Sequence, residues 1–167
     1  MDAARRSESR KNPTTAERKS DREMVITRTF DAPVRLVFEA WTRAELFKRW
    51  WAPKSYGMVL HSVEMDVRVG GKYRVVFDDK GAPGMAFFGR YLEVVPQSRL
   101  SWTNEESGPD GPVTTVIFEE KDGRTLVTMI ELHATKQSLD DNLGASEAMQ
   151  ETFGQLDDLL AEVGTNR

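Results

Sequence analysis

The chain has 167 residues, 39% hydrophobic and 30% charged, with two histidines and no cysteine. That length suits one domain, and the missing thiols exclude disulfides, thiolate metal sites and a cysteine nucleophile. The net charge of −4 is unevenly spread: residues 1–22 hold seven basic and four acidic residues, the remainder 16 and 23, and so acidic a body argues against nucleic acid as a partner.

In chain order, residues 1–22 contain no Val, Ile, Leu or aromatic residue. Such a stretch buries too little apolar area to offset its ordering entropy, so it reads as a disordered extension. It also lacks the apolar core of a secretory signal. The composition changes at Glu23. Residues 24–30, M-V-I-T-R-T-F, are β-branched and aromatic and predict a strand. Arg28 interrupts its alternation, either as a buried cation or as an edge residue. Asp31 is suited to cap a helix carrying Pro33 in its first turn, with Val34, Val37, Phe38 and Trp41 at helical spacing. Thr42 is suited to cap a second short helix, with Glu45 three residues on and Pro53 ending it.

Six strands follow. Residues 59–66 alternate, with Val59, His61, Val63 and Met65 on one face. Gly70–Gly71 turns the chain into a strand at 72–77, and turn formers fill 78–84. The strand at 85–95 is broken by Gly89, a sign of a bulge or a close approach. Residues 99–103 form a strand, 104–112 a polar loop, and 113–120 and 125–133 a hairpin about Asp122–Gly123. The chain closes on an amphipathic helix over roughly 139–163, with Met149, Phe153, Leu156 and Leu160 on its apolar face. The order predicts an α+β fold, β-α-α-β6-α, whose curved antiparallel sheet accepts the last helix and leaves an internal cavity. Nothing is apolar enough over 18 residues to span a membrane, and the expected location is cytoplasmic.

D-A-P-V-R-L-V-F-E-A-W-T at 31–42, Trp50-Trp51-Ala52-Pro53, D-V-R-V-G-G-K-Y-R at 66–74, G-R-Y-L-E-V-V-P-Q-S-R-L-S-W-T at 89–103 and M-Q-E-T-F-G-Q-L-D-D-L-L at 149–160 stand in order. With them the chain resembles the START-like, SRPBCC (helix-grip) superfamily, and within it the group named after the C-terminal domain of the activator of the heat-shock-protein-90 ATPase. The resemblance covers residues 23–163, so the domain is expected at 23–164. It implies a seven-strand sheet wrapped around the C-terminal helix with a cavity between them, in a superfamily of lipid carriers, receptors and cyclases.

These motifs carry fold rather than chemistry. Asp66 and Arg68 share a strand face and suit an ion pair or a brace for the glycine turn. His61 projects into the cavity if its strand face is the concave one, where an imidazole orients a ligand or moves a proton. Glu131 and His133 share another strand face as an acid–imidazole pair. His61, Glu131 and His133 are thus the catalytic candidates, none assigned a role. No metal is expected, because three converging ligands are needed. The expected cavity lining is Trp50, Trp51, His61, Val63, Tyr73 and Phe87, with Tyr91, Trp102, Met149, Phe153 and Leu156. A binding domain for a small apolar or amphipathic molecule, without cofactor, ranks first. A cyclase- or hydrolase-like acid–base enzyme ranks second, and a chaperone-interaction module third.

Overall fold

The computed structural model describes residues 12–106 and 108–165. Eight strands form one antiparallel sheet: β1 (Thr15–Arg18), β2 (Glu23–Phe30), β3 (Leu60–Met65), β4 (Lys72–Asp79), β5 (Ala82–Val95), β6 (Arg99–Thr103), β7 (Val113–Lys121) and β8 (Arg124–Leu132). Their order across the sheet is β1-β2-β8-β7-β6-β5-β4-β3. Helices α1 (Val34–Thr42) and α2 (Ala44–Trp50) and a single 3₁₀ turn (Lys54–Tyr56) link β2 to β3; α3 (Lys136–Asp141) and α4 (Leu143–Thr165) follow β8. This is the expected α+β helix-grip architecture. Among the described residues no helix is long and apolar enough to cross a membrane.

The sheet grips α4 because bulges bend it. β3 and β4 pair Leu60 with Phe77 but Ser62 with Val76, so β3 carries one extra residue, His61. β5 carries another at Leu92, between the Tyr91–Trp102 and Glu93–Ser101 pairs. Each extra residue increases local twist and curls the strand. The alternating residues of the concave face then close on α4. Ile26, Leu100, Val116 and Met129 from the sheet pack with Trp41 and Trp50 from α1 and α2 and with Phe153 and Leu156 from α4. At the hairpin between β7 and β8, Asp122 and Gly123 both take positive φ, as an Asp-Gly turn of this hand requires.

Several local expectations are corrected. Part of the segment read as disordered is β1, paired with β2 from Thr15–Thr27 to Arg18–Met24. It buries no apolar side chain. Polar contacts hold it: Arg28 Nη1 donates to Thr14 Oγ1 at 2.9 Å, and Arg18 pairs with Asp140 of α3 at 2.7 Å. Composition alone misses a strand that gains its partners through backbone bonds and polar side chains. Residues 1–11 lie outside the described residues. Asp31 does not cap α1, whose N-cap is Pro33. Its carboxylate instead accepts from Asn12 Nδ2 and Arg124 Nε, tying the start of the chain to the β7–β8 turn. Thr42 does not cap α2 either: its hydroxyl donates back to Phe38 O. The closing helix is two helices, divided at Asn142, whose side chain donates to Ser138 O. Arg28 is a buried cation, ion-paired with Asp157 of α4.

Candidate functional site

A cavity of about 440 Å³ lies between the concave face of the sheet, the α2–β3 connection and the first half of α4. One side is aromatic. Trp41 at its floor packs edge-on against Trp51, with ring centroids 5.9 Å apart, and lies 6.0 Å from the Trp102 ring. Tyr73, Tyr91, Phe77 and Phe87 continue that wall across β4 and β5. The α2–β3 connection supplies Trp51, Ala52, Pro53 and Tyr56. α4 pins this connection: Gln155 Nε2 donates to Trp50 O and Ala52 O, and Gln155 Oε1 accepts from Lys54 N. Glu151 accepts from Ser55 N and from the Ser55 hydroxyl, which together hold its carboxyl below the usual carboxylate range. Ala52 takes φ +84°, a left-handed conformation that alanine reaches only under such restraint.

Strand register gathers the polar part of the lining. Glu131 pairs with Thr114, and Thr114 with Trp102, so these residues form one row across β8, β7 and β6. Just beyond, Asn104 Nδ2 donates to Pro112 O and Thr114 Oγ1, and the Tyr73 hydroxyl donates to Thr103 O at 2.6 Å. Burial pushes the Tyr73 and Tyr91 phenols up, with nearby carboxylates adding to the effect. Glu106 stands at the mouth, and partial burial raises its carboxyl against the pull of backbone N–H groups. His133 is 1% exposed; its Nδ1 lies 2.7 Å from Ser138 Oγ, and its Nε2 lies 3.8 Å from Glu131 Oε2, beyond hydrogen-bond reach. His133 Nε2 and Trp41 Nε1 are both buried without a hydrogen-bond partner among the described residues. Both side chains line the cavity. Buried polar atoms are nearly always satisfied, so two such orphans among the residues lining one cavity stand out.

Of the residues expected to line the cavity, Trp51, Tyr73, Phe87, Tyr91, Trp102 and Met149 do so, together with Glu131 and His133. The other five lie elsewhere. Trp50 is fully buried in the core, its Nε1 donating to Ala40 O. Phe153 and Leu156 are fully buried core residues. Val63 packs against the core from β3. His61 is the extra residue of the β3 bulge, so it leaves the inward alternation that Val63 and Met65 follow. Its Nδ1 lies 3.0 Å from Asp78 Oδ1, a carboxyl held low by the Gly81 N–H and by His61 itself. His61 therefore does not join Glu131 and His133. Sequence reasoning missed Trp41, Phe47 and Met58, and among the polar residues Asn104 and Glu106. Trp41 had a signal, a helical-face tryptophan, but nothing in the sequence marked its N–H as unsatisfied.

A family model described as Activator of Hsp90 ATPase homolog 1-like protein matches residues 31–161. The chain belongs to this family. Solved structures agree on the fold. A crystal structure of a protein from Nitrosomonas europaea has 24% identity and a TM-score of 0.77, covering 89% of this chain and 99% of its own. A crystal structure of a Mycobacterium smegmatis protein has 23% identity and a TM-score of 0.77, covering 90% and 99%. A solution structure of a Staphylococcus epidermidis protein has 27% identity and a TM-score of 0.72, covering 89% and 94%. No curated protein matches the chain. For this member of the Activator of Hsp90 ATPase homolog 1-like family, family and fold are thus fixed, and the cavity residues carry any functional argument.

Proposed function

We propose that the protein binds one small, largely apolar or aromatic molecule in the cavity beneath α4. The carrying observation is an aromatic-walled space of about 440 Å³ whose lining includes Trp41 and His133, two buried residues whose Nε1 and Nε2 have no protein partner among the described residues. That size falls within the usual range for small-ligand pockets, which combine apolar walls with a few placed polar groups. The indole N–H of Trp41 can only donate, so it suits an acceptor atom or the π face of an aromatic ligand. Trp41, Trp51 and Trp102 report occupancy, so the test is a tryptophan-fluorescence titration with neutral aromatic alcohols, phenols and ketones. A saturable one-site response is expected for part of the panel, with native mass spectrometry giving one-to-one stoichiometry. No saturable response from any compound would reject the reading.

A second reading, an acid–base enzyme, draws on the Glu131–His133 pair facing the same space. A bound group between them meets a carboxylate and an imidazole, the usual partners for proton transfer. Under this reading a bound ester or epoxide turns over, and Glu131→Gln or His133→Gln slows that turnover while the complex still forms. Binding without turnover across such a panel leaves the first reading alone.

A further inference from the structure

The described residues that line the cavity include two glutamates, Glu106 and Glu131, and neither a lysine nor an arginine. The remaining polar atoms divide unequally. Trp41 supplies one N–H donor, whereas the Glu131 carboxylate offers acceptors beside His133 Nε2. An anion entering this space would meet two carboxylates and no cationic side chain among the described lining residues. Charged groups in a low-dielectric cavity are costly unless paired, so an unpaired carboxylate here favours an opposite charge.

We infer that the ligand is a cation, an amphipathic amine whose ammonium lies between Glu131 and His133 and whose apolar body lies against the tryptophans. The inference rests on the cavity-binding reading above and names its ligand class. The 3.8 Å gap between His133 Nε2 and Glu131 Oε2 is too long for a direct hydrogen bond. A donor seated beside both atoms bonds each of them. In the tautomer whose Nδ1–H donates to Ser138 Oγ, 2.7 Å away, Nε2 offers a lone pair to that donor. An ammonium has three N–H groups and no acceptor, which matches a carboxylate and a lone pair. The same row sets Trp102 two strands and Tyr91 three strands from Glu131, on the side where the ligand's apolar body lies. Glu106 at the mouth adds a second negative group on the entry path.

The test uses three ligands with one skeleton: 1-naphthylmethylamine, 1-naphthalenemethanol and 1-naphthoate, titrated calorimetrically into the full chain at pH 7 and 0.15 M salt. The amine is expected to bind about tenfold more tightly than the alcohol, the worth of one well-placed charged hydrogen bond, and naphthoate most weakly. In Glu131→Gln the amine-to-alcohol ratio is expected to fall close to one. Alcohol or naphthoate binding as tightly as the amine overturns the cation assignment and leaves the cavity reading standing. Failure of all three to bind overturns both. A full amine preference retained in Glu131→Gln also overturns the assignment of the ammonium to that carboxylate. If that variant does not fold, the ranking on the unaltered protein remains decisive.

Discussion

Gly89 of β5 lies against Thr103 at the end of β6, with its Cα opposite Tyr73 of β4. A Cβ built there would stand 2.1 Å from Thr103 O and 2.7 Å from Thr103 Oγ1. Thr103 O accepts the Tyr73 hydroxyl, and Thr103 Oγ1 accepts from Arg90 N, so neither atom is free to retreat. Gly89→Ala is therefore expected to destabilise the domain by about 1–3 kcal/mol, the usual cost of overpacking, read as a lower urea midpoint with an unchanged slope. His61 makes the opposite case. Its polar partner is Asp78 on β4, and it stands outside the cavity wall. His61→Ala is expected to leave ligand affinity within about twofold of the parent, while removing the ring that helps hold Asp78 ionised. A tenfold loss of affinity in that variant would place His61 at the site after all. The two residues differ in legibility for a physical reason. A glycine inside a strand announces a close approach, whereas the face of a histidine depends on counting residues through a bulge that no local pattern marks.

Among the elements, the α2–β3 connection is the part of the cavity wall that the sheet does not build. It holds its shape through α4: Gln155 spends its whole amide on Trp50 O, Ala52 O and Lys54 N. Gln155→Ala is expected to cost about 1–2 kcal/mol for the lost bonds and to weaken ligand binding, because Trp51 and Tyr56 lose their anchor. Thermal melts and the fluorescence titration check the two effects separately; unchanged affinity with lowered stability would show that the connection keeps its shape without α4. The periodicity of α4 made its apolar face readable, and Met149 on that face does line the cavity. Phe153 and Leu156, one and two turns further on, fill core instead, because the sheet closes on the helix there. Periodicity gives the face of a helix; where along that face a space opens depends on sheet curvature, hence on the β3 and β5 bulges. β1 was illegible for another reason: its stability comes from the β2 edge and from partners such as Asp140, none of them local in sequence.

For the whole molecule, the order of elements along the chain from β2 onward and the helix-grip architecture were readable because alternation, the Asp-Gly turn and the family motifs all pointed to one fold. Of the polar lining only the Glu131–His133 pair was readable, since register assembles the rest from residues far apart in the chain, such as Trp102 and Glu131, 29 positions apart and joined through Thr114. That assembly also sets how the fold responds to alkali. Tyr73 and Tyr91 are both buried, and burial raises each phenol well above its ordinary value of about 10. In the folded chain both phenols keep their protons; in the unfolded chain both release them near pH 10. The unfolded state thus binds fewer protons above that pH, so stability is intact below pH 10 and falls as pH rises further. The slope is about 1.4 kcal/mol per pH unit for each phenol until its folded-state value is reached. Equilibrium urea unfolding at intervals from pH 8 to 12 should show a flat region, then a decline from about pH 10 that shrinks in Tyr91→Phe. Absorbance at 295 nm should gain the change due to two tyrosines only together with unfolding. Early ionisation of both phenols in the folded protein would mean that water reaches the β4–β5 wall freely, and that the cavity is wetter than its aromatic lining implies.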